Sequence, residues 1–272
     1  MMESWVDGQP ADALSLKDRG LAYGDGLFET IAVKGGQPLL LDRHLSRLAD
    51  GCSRLAINAD HALIRSELLM YATALGEGVL KLMLTRGDSQ RGYAADPSVS
   101  PRRILQGNPP AAYPAVHAQQ GIRLFPCTTR LSEQPLLAGL KHLNRLEQVI
   151  ARSEWQDGEH AEGLMLDLQG RVIEGVFSNL FLVRDGALLT ADLSRCGVAG
   201  VMRAELLSQA ERLGIVTQVT DISLDQLQQA DEVFVCNSVY GIWPVRAYAA
   251  LSWPVGSLTR KLQGIARALL DA

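Results

Sequence analysis

The sequence has few cysteines, few lysines and no long apolar run, and each shortage removes a class of function. Cys52, Cys127, Cys196 and Cys236 are far apart and form no C-x-x-C pair. They are too few to staple a chain of 272 residues and lack the spacing of a redox motif or a cysteine zinc site. His44, His61, His117, His142 and His160 never fall at i, i+4, and no H-E-x-x-H occurs, so no metal is expected. Nothing approaches the roughly 20 apolar residues of a membrane span. The opening MMESWVDGQPADALSLKDRG has no apolar core fit for a signal peptide, so the expected compartment is the cytoplasm. With 26 Lys+Arg against 30 Asp+Glu there is no basic excess to draw the chain onto nucleic acid or acidic lipid. What remains is a 47% hydrophobic chain long enough for two modest domains, with the profile of an enzyme for a small-molecule substrate.

The apolar patterns divide that chain. LFETIAVKGGQPLLL reads as a hairpin around Lys34-Gly35-Gly36-Gln37. Asp42 is expected to cap a helix with Leu45, Leu48, Cys52 and Leu55 on its apolar face. A helix over about 62–75 leads to the strands VLKLMLT and RRILQ. Residues 107–121, GNPPAAYPAVHAQQG, lack apolar periodicity and read as a linker. We therefore expect an N-terminal α/β domain over 1–108, a linker over 109–120 and a larger C-terminal α/β domain over 121–272 that carries Lys141. Strand IRLFP opens the second half, a helix over about 144–155 follows, and turn pairs Gln169-Gly170 and Asp185-Gly186 predict antiparallel strands. Helices beside antiparallel strands, without regular βαβ alternation, give a mixed α+β class.

Four features could carry chemistry. Lysine is scarce, and of Lys17, Lys34, Lys81, Lys141 and Lys261 only Lys141, in AGLKHLNRLEQ, sits between an apolar approach and a helix start. An amine there is either partly exposed or, on burial, a nucleophile with a lowered pKa. In CGVAGVMRAELL, Gly197 and Gly200 precede a helix whose first amides, at Val201, Met202 and Arg203, would favour an anion such as phosphate; a plain turn is the alternative. Arg47 in DRHLSRL offers a fork suited to phosphate oxygens, or is a solvated helix residue. Glu174, among Val172, Ile173, Val176 and Phe177, needs a cationic partner if it points inward and none if it points outward. Amine, phosphate cradle and buried carboxylate together match the needs of pyridoxal 5′-phosphate.

YGDGLFET (23–30), HLSRL (44–48), GLKHLNRLEQ (139–148), EGVFSNLFLV (174–183) and GVAGVMR (197–203) resemble, in order, the signatures of fold-type IV pyridoxal phosphate enzymes. The resemblance implies two α/β domains with the cofactor in the interdomain cleft, and a homodimer. It also implies Lys141 as the Schiff-base lysine, Arg47 as a phosphate ligand, Glu174 as the pyridine partner and the backbone of Val201 and Met202 as the phosphate cradle. Leu146 stands where the aminotransferases of the family typically carry tyrosine. Asn237 and Ser238 stand where many carry Gly-Thr, and Met202 where threonine is frequent, so Ser238 is expected to supply the hydroxyl to the phosphate.

KHLNRLEQV, TRGDSQRGY (85–93) and DEVFVCNSVYGIWPV (231–245) are most similar to the lyase branch of that family. That likeness implies conversion of 4-amino-4-deoxychorismate to 4-aminobenzoate and pyruvate, as in folate biosynthesis. Lys141 would be the general base, with Lys141 or Thr30 as acid for the leaving group. Arg91, Arg145 and, less so, Arg86 are the expected clamps for the substrate carboxylates, with Tyr93 and Asn144 at the same pocket. The alternative is an aminotransferase of the same fold acting on D-amino or branched-chain amino acids.

Overall fold

A computed structural model describes residues 3–271. The chain divides into two compact units. One comprises the chain up to Ala111 together with Leu140–Asn144, and the other Ala112–Gly139 and Arg145–Asp271.

The first unit runs β1 (Trp5–Val6), β2 (Gln9–Pro10), α1 (Arg19–Tyr23), β3 (Gly26–Lys34), β4 (Gln37–Pro38), α2 (Leu41–Leu55), α3 (His61–Leu75), β5 (Gly78–Thr85) and β6 (Arg102–Asn108). Its strands form one sheet in the order β2-β1-β6-β5-β3-β4. Alternation sets the faces: Leu27, Glu29, Ile31 and Val33 of β3 are buried, while Phe28, Thr30 and Ala32 on the other face are half-buried. On β5, Leu80, Leu82 and Leu84 are buried and Lys81 lies with Val79 and Met83 on the half-buried face. Gly35 and Gly36, both at positive φ, make the β3–β4 turn.

Helix α2 packs on the buried face of β3 through His44, Leu48, Gly51 and Cys52, at helical spacing. A Cβ on Gly51 would lie 2.7 Å from a Leu27 methyl, so any larger residue there would make Leu27 shift. Asp42 does not cap α2: the N-cap is Leu40, and Asp42 pairs from the first turn with Arg65 of α3. The carboxylate is one residue pair too late to reach the N-terminal amides.

The second unit contains α4 (Ala115–Gln120), β7 (Ile122–Leu131), α5 (Leu146–Arg152), β8 (His160–Asp167), β9 (Val172–Gly175), β10 (Asn179–Arg184) and β11 (Ala187–Ala191). It continues with α6 (Val201–Arg212), β12 (Thr217–Thr220), α7 (Leu224–Gln228), β13 (Glu232–Asn237), β14 (Gly241–Tyr248), β15 (Leu251–Ser252) and α8 (Ser257–Asp271). The sheet order is β12-β11-β10-β13-β14-β7-β8-β9, with β15 on β14. The runs β8 to β11 pair antiparallel, as the turn dipeptides predict, while β7–β8, β7–β14 and β11–β12 are parallel. Leu164, Met165, Val172, Leu180, Val235 and Val245 are central to its core. The segment read as a linker holds α4, whose His117 stacks edge-on against Trp243 of β14.

Two further differences concern the lysine. Lys141, placed by the sequence on the C-terminal domain, belongs to a five-residue segment that groups with the first unit. The helix expected from 144 begins at Leu146, because residues 141–143 are extended along β3 instead. Gly139, at φ 80°, exchanges hydrogen bonds with Gly197 O (2.9 Å) and Ala199 N (3.0 Å) within the second unit, two residues before the lysine. Gly139→Ala puts a side chain into a left-handed conformation and should lower stability by about 1–2 kcal/mol, read by urea unfolding.

Candidate active site

In the first unit the lysine is placed by backbone pairing. Phe28 N donates to Lys141 O (2.9 Å) and Leu143 N to Gly26 O (3.0 Å), so residues 141–143 extend β3 along its open edge. The Lys141 amine lies 4.3 Å from the Phe28 ring centroid, and the Lys81 amine lies 5.6 Å from the same ring. Thr30 is on this face too, paired in register with Lys81. Asn144 Nδ2 donates to Gly24 O (3.0 Å), so this side chain, expected at the substrate, ties down the lysine loop.

The opposite face of β3 carries a network the sequence reading missed. Glu29 is buried and accepts from Arg47 Nε (2.8 Å) and Nη2 (2.5 Å), and it bonds His44 Nδ1 (2.5 Å). Burial raises the Glu29 carboxyl, but Arg47 and His44 outweigh it and bring the pKa to about 2. Burial lowers His44, and Arg47 and Lys141 lower it further, against the pull of Glu29. The state that follows is a carboxylate–guanidinium pair with a neutral imidazole. Arg47 therefore meets Glu29 along its Nε–Nη2 edge. The signal for Glu29 and His44 was present: an acid on the apolar face of a strand and a histidine four residues before Leu48.

Arg86 has a structural task. It donates to Asp25, Leu55 O and Ala56 O and holds the YGDG turn to the end of α2. Arg91 is exposed, and Tyr93 is 87% exposed with its carbonyl bound by Arg19. Both lie on one loop of the first unit.

In the second unit Glu174 points inward: it is 3% exposed, and its Oε2 accepts from Val198 N (2.9 Å) and Asn179 Nδ2 (3.2 Å). Asn179 Nδ2 also donates to Val198 O (2.9 Å), so one side chain links the acid to the approach of α6. Gly200 is the N-cap of α6 and provides no side-chain cap, which leaves the amides of the first turn without an intrahelical acceptor. A Cβ at Gly200 would lie 1.9 Å from Asn179 Oδ1, so glycine is required for this geometry. Arg203 turns away to Thr190 Oγ1 and Ala191 O. Asn237 Oδ1 accepts from Val239 N (2.9 Å) and Tyr240 N (3.0 Å), so the side chain expected at the cofactor caps its own turn, with Ser238 inside that turn. Arg145 is the backbone N-cap of α5, and Leu146, at the place of the aminotransferase tyrosine, is 74% exposed.

A family model described as amino-transferase class IV matches residues 26–248. The chain belongs to the class IV amino-transferase family. Among class IV relatives, it is 38% identical to an aminodeoxychorismate lyase of Vibrio harveyi, over 96% of this chain and 98% of that protein. A crystal structure of 4-amino-4-deoxychorismate lyase from Pseudomonas aeruginosa is 64% identical, covers 99% of this chain and 100% of its own, and superposes with a TM-score of 0.97. The branched-chain amino acid aminotransferase of Escherichia coli, at 23% identity and TM-score 0.86 over 98% of this chain and 94% of that one, shares the fold.

Class IV enzymes use pyridoxal phosphate, and the residues present fit it. The uncapped α6 N-terminus at an obligatory glycine suits a phosphate, the inward acid suits a protonated pyridine nitrogen, and the lysine amine suits an aldehyde. Among the described residues no cluster of His, Cys, Asp or Glu could hold a metal ion.

Removing the Glu29 charge leaves the half-buried Arg47 beside a neutral group. Glu29→Gln should cost about 3 kcal/mol near neutrality. Because the folded pKa is depressed, the contribution of Glu29 is complete above the ordinary carboxylate range and is lost as pH falls toward about 2. Urea unfolding at falling pH should show the wild-type advantage shrinking over that interval.

Proposed function

We propose that this enzyme is a pyridoxal phosphate-dependent lyase that converts 4-amino-4-deoxychorismate to 4-aminobenzoate and pyruvate. The observation that carries this reading over transamination is the full-length likeness to the Pseudomonas lyase, which holds in both units. The exposed leucine at 146 and the Asn237-Ser238 turn, departures from the aminotransferase pattern, support it.

Pyridoxal phosphate, when bound, supplies an aldehyde for amines and a ring that takes up the electron pair released at the substrate carbon. Val201 and Met202 amides bind the phosphate, with Ser238 and Arg47 as further ligands. Glu174 keeps a negative charge for the ring nitrogen, its Oε2 oriented by the Val198 amide and Asn179. Lys141 Nζ takes the proton from the amine-bearing ring carbon of the substrate. As an ammonium it returns a proton to the departing enolpyruvyl group, and Thr30 is the second candidate for that transfer. Loss of that group leaves an aromatic ring, which makes the elimination strongly downhill. Arg91 and Arg145 hold the two substrate carboxylates, and Tyr93 borders the same substrate.

We also place the enzyme in the cytoplasm, as a homodimer. The first rests on four free, buried thiols, and the second on the fold-type resemblance. Among the described residues no helix is long and apolar enough to cross a membrane.

With 4-amino-4-deoxychorismate as sole substrate, the enzyme should release pyruvate and fluorescent 4-aminobenzoate. Lys141→Ala should lower that rate by about 10²–10⁴-fold, the scale of a lost general base. Amino transfer from D-alanine or a branched-chain amino acid to 2-oxoglutarate, with no turnover of aminodeoxychorismate, would reject the lyase in favour of an aminotransferase.

A further inference from the structure

Glu162 lies on β8 with no solvent exposure, and nothing in the chemistry above uses it. Its Oε1 accepts from Gly163 N (2.8 Å) and Val176 N (3.0 Å), and its Oε2 from Phe177 N (3.3 Å) and Ser178 Oγ (2.6 Å). Three of these four donors belong to 176–178, the turn from β9 to β10. That turn is the chain between Glu174 and Asn179, which hydrogen-bond each other. Gly175 N closes it on Ser178 O (2.7 Å). A Cβ on Gly175 would lie 2.3 Å from Ser178 Oγ and 2.8 Å from the Glu162 carboxyl. The backbone is thus wrapped around this carboxyl too closely for any side chain at 175.

We propose that Glu162 is a positioning residue for the cofactor site: by gripping the 176–178 turn it fixes Glu174 and Asn179, and through Asn179 the Val198–Gly200 approach to α6. The proposal rests on the reading of Glu174 and α6 as pyridoxal phosphate ligands.

Burial outweighs the four donors and raises the Glu162 carboxyl to about 7. The titratable groups around it are Cys127, pushed by burial up to about 12, and Tyr113 and Tyr240, both raised by burial. None of these is charged near neutrality, so Glu162 is the member of this cluster that titrates there. A proton on Oε2 can be donated to Ser178 Oγ while Oε1 keeps both of its amides. Opening the turn would expose the carboxyl and return it to the ordinary range. The closed turn is therefore favoured most below the exposed pKa, and that advantage is lost as pH rises through about 7.

Amide exchange of 176–178 in the apoprotein, corrected for intrinsic pH dependence, and the affinity of the apoprotein for pyridoxal phosphate test this. In the wild type, protection should fall by about tenfold or more between about pH 5 and about pH 8. Glu162→Gln, an uncharged isostere of the protonated acid, should stay closed with a flat profile. Glu162→Ala should lose protection at both pH values and bind pyridoxal phosphate about tenfold more weakly, with Gln restoring the affinity. Should the alanine variant not fold, Ser178→Ala, which keeps the carboxyl and removes one donor, makes the same comparison. An alanine variant that binds the cofactor as wild type does, or a glutamine variant that follows the wild-type pH profile, would overturn the proposal. A wild type that takes up no pyridoxal phosphate would instead strike the cofactor reading, and the exchange arm would still decide the grip of Glu162 on the turn.

Discussion

The chemistry assigned to this chain depends on where one backbone carbonyl is held. Lys141 O accepts from Phe28 N, and Leu143 N donates to Gly26 O, so the lysine is built onto a strand rather than left on a loose loop. A lysine side chain is a charge on a flexible four-carbon stem, and its reach is set by where its backbone is anchored. Anchoring on β3 puts the amine over the Phe28 ring and on the strand face opposite Glu29. The single open edge at the start of β3 makes this possible, because β5 occupies the other edge along the whole strand and β4 pairs only with its far end.

Three of the buried carboxylates, Glu29 in the first unit and Glu174 and Glu162 in the second, are each satisfied in a different way. Glu29 has a guanidinium, Glu174 has an amide N–H and an asparagine, and Glu162 has four neutral donors. A buried acid is costly unless its lone pairs are matched, and the kind of match decides whether it stays charged. Glu29 is held ionised by its cation, whereas Glu162, without one, is brought to the edge of protonation at neutral pH. Glu174, oriented by an amide N–H and a side-chain amide, is the acid assigned to the cationic ring nitrogen. The three acids are therefore not interchangeable, although on the sequence each is a glutamate among apolar neighbours.

That last point explains much of what the sequence made legible and what it did not. Strand alternation at β3 and β5, the glycine turns and the helix at Val201 were readable because each is a local pattern with a local cause. The placement of Lys141 was not, because residues 141–143 pair with a strand more than a hundred positions earlier and no periodicity marks them. Asp42 looked like a cap by residue type, yet the cap is set by backbone conformation at Leu40. Arg47 stands out in the sequence as a fork suited to phosphate oxygens, but its pairing with Glu29 is a contact between a helix and a strand that spacing does not show. Asn144 and Asn237, expected near substrate and cofactor, also hold backbone turns, a task their residue type alone does not reveal. Glu162 draws no notice in the sequence, since three of its four donors come from 176–178 and leave no trace in spacing.

The central claim is that one particular amine makes the bond to the cofactor, and a second amine near the same ring gives it a sharp competitor. Borohydride trapping of the pyridoxal phosphate-loaded enzyme, followed by peptide mass mapping, decides between them. The account predicts the reduced pyridoxyl group on Lys141. Its appearance on Lys81, 5.6 Å from the same Phe28 ring, would contradict the account.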